Sequence, residues 1–589
     1  MTKDSFVIGV YLEILAVVHR QNFSGPQVTT DDEKSFVRHR PLSHSTKEKC
    51  MSRRNRYPSL LLLAIIGLVM YLGVNLLSAL LNPSPSSLQT ESGFPRISKQ
   101  QAAEAAAGFA RSKLALTENY ESDVRLQSYK TRSGYLQREQ LAEQYEERYG
   151  EKYPIDYFEV EMNDRTTGTT YYVAVNFLNG GIIGWDVYPS AAAGDTGTGS
   201  SASDAVKLAE SRMYEMGYRP GDYQLIQNGP PYLLFEHKTE RIGDSKPLLR
   251  IAVAGEQVRS FHPEFSIPES YLSWQQAQDE RSAQMTRISM GISFIMTMGA
   301  LFVMIKYRRE ITFSRGLIMT LVFLAVYVSH NFNMIPGYRT YHGSGPSEQG
   351  IEFYLWFINI FTGLLALSTY FTLSAGRQLW AGTGDSRYLW PTWRSDSFGR
   401  HVKKAMVNGY LLCLFILGVQ QALFFAAAEG FDVWAVNDPA DSVYNMAYPA
   451  IFPLLAWAAA ISEEAAYRLF GIAFFQRLVK SRFLAILLPS VIWAMSHTQY
   501  PIYPVYTRLV EVAVIGIIFG YAFLRYGFLT AVFAHAAMDS ILMGLSVMYL
   551  GGATHVLTGA FYLVFPALAG WLLAWLHGKR RPAAGSYAV

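Results

Sequence analysis

The sequence predicts a polytopic α-helical membrane protein of about ten spans, with an extracytoplasmic α+β insertion between spans one and two. Three observations lead there. Half of the 589 residues are hydrophobic, 14% are aromatic and only 17% are charged, which is too apolar for a soluble chain of this length. Apolar runs close to the roughly 20 residues needed to cross a bilayer recur along the chain. Basic residues collect in alternate loops between those runs.

In order, the runs fall at 58–81, 288–305, 316–335, 351–374, 405–428, 445–475, 483–500, 507–524, 527–548 and 557–576. Arg53, Arg54 and Arg56 precede the first of them. Later basic groups are Lys306, Arg308, Arg309 and Arg315, then Arg394, Arg400, Lys403 and Lys404, then Arg477, Lys480 and Arg482, and finally Lys579, Arg580 and Arg581. If the spans alternate, all of these share one side, so the positive-inside rule places them and both termini in the cytoplasm of a cell membrane. The opposite loop over 429–442 carries Glu429, Asp432, Asp438 and Asp441 and no Lys or Arg. The net charge of +4 follows from this bias and gives no reason to expect a nucleic-acid partner. Membrane lipid is the partner that the composition implies.

The N-terminal segment 1–57 reads as disordered and cytoplasmic. Its apolar stretch "FVIGVYLEILAVV" is short for a span, contains Glu13 and precedes no signal-peptidase site. Met51 opens "MSRRNRYPSLLLLAIIGL", a natural start for a membrane protein, ahead of the first span at 58–81. Cys50 and Cys413 are the only cysteines, and the second lies in a span, so a disulfide framework is excluded.

Residues 82–284 form the insertion. "ISKQQAAEAAAGFARSKLAL" has helical character, and the alternation of strands follows in "IDYFEVEMN", "TTYYVAVNFL" and "GGIIGWDVYP", with a turn at Gly180 and Gly181. After the linker "SAAAGDTGTGSSAS" the order repeats: a helix in "SDAVKLAESRMYEMGY", then strands in "YQLIQN", "PYLLFEHKTE", "LLRIAVAG" and "EQVRSFHPEF". A duplicated small α+β module is expected. Its pattern resembles the PepSY-type modules of bacterial cell-envelope proteins, which implies a bacterial source. The insertion reads either as a folded spacer or as a sensor, substrate receptor or cover, with an extracytoplasmic ligand of its own. His237 and His262 are isolated in it and define no catalytic cluster.

Ionisable residues in the apolar region are few, and a charge at mid-bilayer costs about 2.5–3.5 kcal/mol on insertion scales. Three clusters stand out. In "ISEEAAYRLF", Glu464 and Arg468 are four apart on one helical face and can neutralise each other, while Glu463 lies about 100° round the helix and can face a different cavity. In "WAMSH", Trp493 and His497 share a face, and so do His535 and Asp539 in "FAHAAMDSIL". A Glu–Arg pair is often a helix-packing device, and a single membrane histidine is often a hydrogen-bond donor to a neighbour. Together, however, Glu, His, His and Asp make an inventory for activating water. "GTGD" at 382–385 matches an aspartyl-protease motif but sits in a polar loop. Glu511, Gln420, Gln421 and His330 keep a transporter reading open, without the repeats or broken helices that it requires. A non-catalytic membrane receptor that senses through the insertion is the other alternative.

The order EExxxR, aromatic-xxx-His and Hxxx(Asn/Asp) on successive membrane helices resembles the CPBP family of intramembrane proteases, which comprises type II CAAX prenyl endopeptidases and proteins related to bacteriocin processing. The resemblance covers a protease core at 443–548, between spans two to five within 285–442 and a last span with a cytoplasmic tail at 549–589. It departs in having Trp493 where Phe is common, and the family core lacks residues 82–284. It implies an intramembrane endopeptidase acting on a membrane-associated peptide or protein. Glu463 would be the general base, His497 would help to hold the water, and Glu464 would pair with Arg468 or act as a second carboxylate. His535 and Asp539 would stabilise the oxyanion, but an ionised Asp539 cannot donate a hydrogen bond. Two His plus Glu is also a zinc ligand set, so zinc held by Glu463, His497 and His535 is weighed against a metal-free site. The chain has no HExxH.

Overall fold

The computed structural model describes residues 59–81, 95–190, 202–229, 231–340 and 348–579. The N-terminal segment, most of the Gly/Ser/Ala linker and the basic tail beyond Lys579 lie outside them. Leu60–Leu81 forms α1, apolar on every side, with most of its side chains facing outward as in a helix set in lipid. It crosses a later helix where neither has a side chain. A Cβ on Gly67 would lie 2.3 Å from the Leu414 carbonyl oxygen, and one on Gly418 would lie 2.1 Å from that of Gly67. Only small residues let membrane helices approach this closely.

The insertion folds as helices on one eight-stranded sheet. It opens with α2 (Lys99–Lys113), whose N-terminus is closed by a capping box in which Ser98 and Gln101 each accept the other's backbone N–H. There follow β1 (Tyr120–Ser128), α3 (Lys130–Arg138), α4 (Ala142–Tyr149), β2 (Asp156–Asp164), β3 (Thr170–Val175) and β4 (Ile182–Tyr188). The second half is α5 (Ala202–Glu215) with β5 (Tyr223–Gln227), β6 (Leu233–His237), β7 (Pro247–Ala254) and β8 (Gln257–Phe265). The strand order is β1-β2-β3-β4-β8-β7-β6-β5, so the two helix-and-strand sets are fused along β4 and β8 into a single sheet. At that seam the Trp185 and Phe261 rings stack 5.1 Å apart, fully buried.

The sequence pattern misses β1, α3 and α4. In β1, Arg125 is 2% exposed and is buried by pairing with Asp123 and with Glu161 of β2 rather than by apolar contact, so no alternation marks the strand.

The boundary expected at 284 is also displaced. Helix α6 (Glu269–Lys306) is one uninterrupted helix of 38 residues that begins in the core of the sheet domain, at Tyr271, and ends among the bundle helices. Nothing in its sequence breaks it; only its polarity changes along its length. The bundle continues with α7 (Leu317–Asn333), α8 (Glu348–Ala381) and α9 (Phe398–Phe431), then β9 (Trp434–Ala435). Where one span is expected over 445–475, the chain instead makes a 3-10 stretch at Pro449–Leu454, α10 (Leu455–Glu463), a π-helical segment at Glu464–Phe470, and α11 (Gly471–Val479). The remainder is α12 (Arg482–Met495), β10 (Ile502–Tyr503), α13 (Val505–Tyr526), α14 (Phe528–Met548) and α15 (Gly552–Gly578). Among the described residues seven helices are long and apolar enough to cross a membrane, and α7 and α12 are shorter apolar helices. This is a helical membrane protein with a separate sheet-rich domain.

The bundle has two distinct ends. At one, Lys130 pairs with Asp438 at 2.6 Å, Trp274 stacks on Trp434 at 5.4 Å, and the Tyr503 hydroxyl donates to Asp279 at 2.8 Å. There Asn445 pairs with the outer edge of β1, its side-chain amide donating to the Leu126 carbonyl and accepting from the Leu126 N–H, each at 2.8 Å. At the other end, Arg387 donates to the Arg525 carbonyl, Arg477 to the Leu379 carbonyl, and Trp393 lies 5.4 Å from His577. Among the described residues the loops that carry basic clusters gather there. In a Cys50→Ser, Cys413→Ala background, a membrane-impermeant thiol reagent is therefore expected to label Glu118→Cys in intact cells and Ser397→Cys only after lysis. The reverse labelling pattern would overturn the orientation inferred from the basic loops.

Candidate active site

The site forms where α10 passes into the π-helical segment, facing α12 and α14. A π turn carries extra residues per turn and recurs at functional sites, because it re-aims side chains that a regular helix would spread apart. Here Glu463 and Glu464 do not face different cavities, as their angular separation predicts. They flank one imidazole: Glu464 Oε1 lies 2.9 Å from His535 Nδ1, and Glu463 Oε2 lies 3.8 Å from His535 Nε2. Asp539, one turn along α14 as expected, places Oδ2 3.4 Å from the same Nε2.

Arg468 closes the cluster from behind. Its guanidinium lies 3.0 Å from Glu464 Oε1 and sits over the Trp493 ring at 4.2 Å and the Phe519 ring at 5.2 Å. Burial separates two functions. Glu464, Arg468 and His535 are 0%, 1% and 2% exposed, whereas the Glu463 and Asp539 side chains keep 23% and 17% of their surface open. The first group is a buried scaffold, and the second can meet water and a substrate.

Trp493 has a larger part than its spacing suggests. Its indole N–H donates to Glu463 Oε2, its face carries Arg468, and its ring lies steeply inclined to those of His535, 5.8 Å away, and His497, 5.0 Å away. The departure from Phe thus supplies the hydrogen bond that orients Glu463. His497 Nδ1 lies 2.9 Å from the Trp493 carbonyl, which can only accept, so Nδ1 carries the proton and Nε2 of the neutral ring is left to accept from water. Among the described residues no hydrogen bond or ion pair joins His497 to Glu463 or His535; Trp493 links them.

Two residues escaped the sequence reading. Phe519 of α13 lies against the His535 ring at 5.0 Å, and Tyr500, in the turn after α12, stacks on His497 at 6.0 Å with the planes 19° apart. Phe519 is one apolar residue in an apolar helix, and for Tyr500 the only available signal was an aromatic three residues beyond His497.

The other candidates do not join the cluster. Glu511 accepts from Arg508 at 2.6 Å and Gln420 at 3.0 Å, which accounts for its burial without an ion path. Asp385 of "GTGD" is bound by Arg387 in the loop at the basic end. His330 lies among Tyr327 and Phe452. Among the described residues no group of three His, Cys, Asp or Glu side chains is arranged to hold a metal ion, and of the expected zinc ligands Glu463 approaches His535 while His497 stands apart from both.

Paired carboxylates and histidines are thus enclosed by apolar helices, an arrangement that can activate water. Residues 445–541 match the family described as Type II CAAX prenyl endopeptidase Rce1-like, consistent with a CPBP-type protease, and every residue of the three motifs lies in that stretch. The match leaves the sheet domain and α1 to α9 outside it. Comparison with curated proteins and with solved structures returned no match.

Proposed function

We propose that this protein is an intramembrane endopeptidase that hydrolyses a membrane-associated peptide or protein with water activated by Glu463. The observation that supports this reading most is the Glu463 carboxylate, partly open, oriented by the Trp493 indole and 3.8 Å from His535 Nε2. Water bound between Glu463 and His497 Nε2 gives a proton to Glu463 and attacks the scissile carbonyl carbon. Glu464 accepts from Nδ1–H and holds the ring, and in the doubly protonated ring Nε2–H turns from Asp539 to the carbonyl oxygen as negative charge develops there. Glu463 then returns its proton to the leaving amine. No step of this mechanism is routed through a metal; zinc is the alternative that the Asp539 test below separates from it.

The termini and the basic loops are placed in the cytoplasm and the sheet domain outside the cell membrane, with ten crossings in all if α7, α12 and the broken segment at 449–479 each traverse it. The site then lies toward the outer leaflet, which suits a membrane-bound peptide, propeptide or bacteriocin better than a prenylated CAAX protein. The test is cleavage by the purified protein in liposomes of a panel of fluorogenic peptides, some farnesylated and some unmodified amphipathic. Turnover of at least one is expected, and turnover of none would end the reading.

The role of Asp539 separates the metal-free mechanism from a zinc enzyme. Asp539→Asn is expected to keep or raise turnover, because an amide can donate to the oxyanion that a carboxylate repels, and the active sample is expected to contain no stoichiometric metal. A joint loss of activity and zinc, with metal affinity weakened about 10–100-fold because Asp539 no longer orients a liganding His535, restored by added zinc, would replace this mechanism by the zinc one.

A further inference from the structure

We propose that the Tyr500 hydroxyl is the second oxyanion donor of this site. The proposal rests on the function just described and adds a residue outside the three motifs. A tetrahedral oxyanion is best stabilised by preorganised donors aimed at it. Among the motif residues His535 Nε2 supplies one N–H, but Asp539, 3.4 Å away, is a carboxylate and can only accept.

Tyr500 meets the requirement in three respects. Its ring is held: it stacks on His497 at 6.0 Å and lies under the Arg508 guanidinium at 5.2 Å, and Arg508 is anchored by Glu511, which Gln420 of α9 binds in turn. Its residue surface is 51% exposed, so an incoming peptide can reach it. Its hydroxyl makes no hydrogen bond among the described residues, and the carboxylates whose charge reaches it are Glu463, Asp539 and Asp441. A phenol, with an ordinary pKa of about 10, keeps its proton at neutral pH and is a donor there. The short ladder between β10 and β9 (Ile502 with Ala435, Tyr503 with Trp434) fixes the turn that presents it.

Tyr500→Phe keeps the ring and removes the hydroxyl. On whichever panel peptide the wild type cleaves, kcat is expected to fall about 10²- to 10³-fold, as when an oxyanion donor is lost, with KM held within about twofold. Binding of a phosphonate analogue of that peptide, which carries a tetrahedral anion, should weaken with kcat, while binding of the uncleaved peptide to Glu463→Gln should not respond to the added Tyr500→Phe change. Tyr500→His, which restores a ring donor, should recover part of kcat. Full activity in Tyr500→Phe would overturn the proposal, and loss only in Tyr500→Ala would show that the ring merely supports His497. If Glu463→Gln is inert and Tyr500→Phe is unaffected, the protease reading stands and this assignment falls. If the wild type cleaves nothing in the panel, both fall.

Discussion

Glu463→Gln is expected to abolish turnover of every peptide that the wild type cleaves and to leave the protein folded in the membrane. Glutamine preserves the volume at the end of α10, and its carbonyl oxygen can still accept from the Trp493 indole, so the packing around it is retained. What it cannot do is take a proton from water. General-base catalysis contributes roughly 10²- to 10⁴-fold to a rate, and in the proposed mechanism the same carboxylate also returns the proton to the leaving amine, so the loss is expected at the upper end of that range. The measurement is turnover in liposomes alongside the melting temperature in detergent. Wild-type turnover by the variant would remove Glu463 from the mechanism.

Arg468→Ala acts on the scaffold instead. Arg468 is 1% exposed and Glu464 is 0% exposed, and the two lie 3.0 Å apart, so removing the guanidinium leaves a buried carboxylate with His535 as its one charged partner among the described residues and empties the space over the Trp493 and Phe519 rings. Removing one partner of a buried ion pair costs about 3–5 kcal/mol, a large fraction of the stability of most domains. The variant is expected to accumulate at much lower levels in membranes and to melt well below the wild type. Arg468→Lys should recover only part of the loss, because an ammonium cannot lie flat on the indole as a guanidinium does. Unchanged abundance and melting temperature in Arg468→Ala would show that His535 alone neutralises Glu464.

Much of this molecule follows from the sequence by itself. Apolar runs reveal membrane helices because lipid offers the backbone no hydrogen bonds, so a spanning segment must be apolar over its whole length. Seven of the ten expected runs reappear as long helices, and the basic loops among the described residues gather at one end of the bundle. Strands β2 to β8 are legible by their alternation, whereas β1 is hidden because pairing with acidic neighbours buries Arg125. The motif residues were found because a charge in an apolar segment is costly and needs a reason, and the i,i+4 spacings of Glu464 with Arg468 and of His535 with Asp539 survive as contacts.

Other features depend on how separate segments meet. A periodicity of 3.6 residues cannot announce a π segment, so the convergence of Glu463 and Glu464 on one imidazole could not be read from their spacing. The Trp493 hydrogen bond to Glu463 and the placement of Tyr500 beside the site both involve residues from different helices or turns. Sequence spacing specifies which side chains share a face of one helix. Which faces meet, and at what distance, is decided by the packing of α10, α12, α13 and α14 against one another, because contacts between segments depend on the relative placement of helices that no single segment encodes.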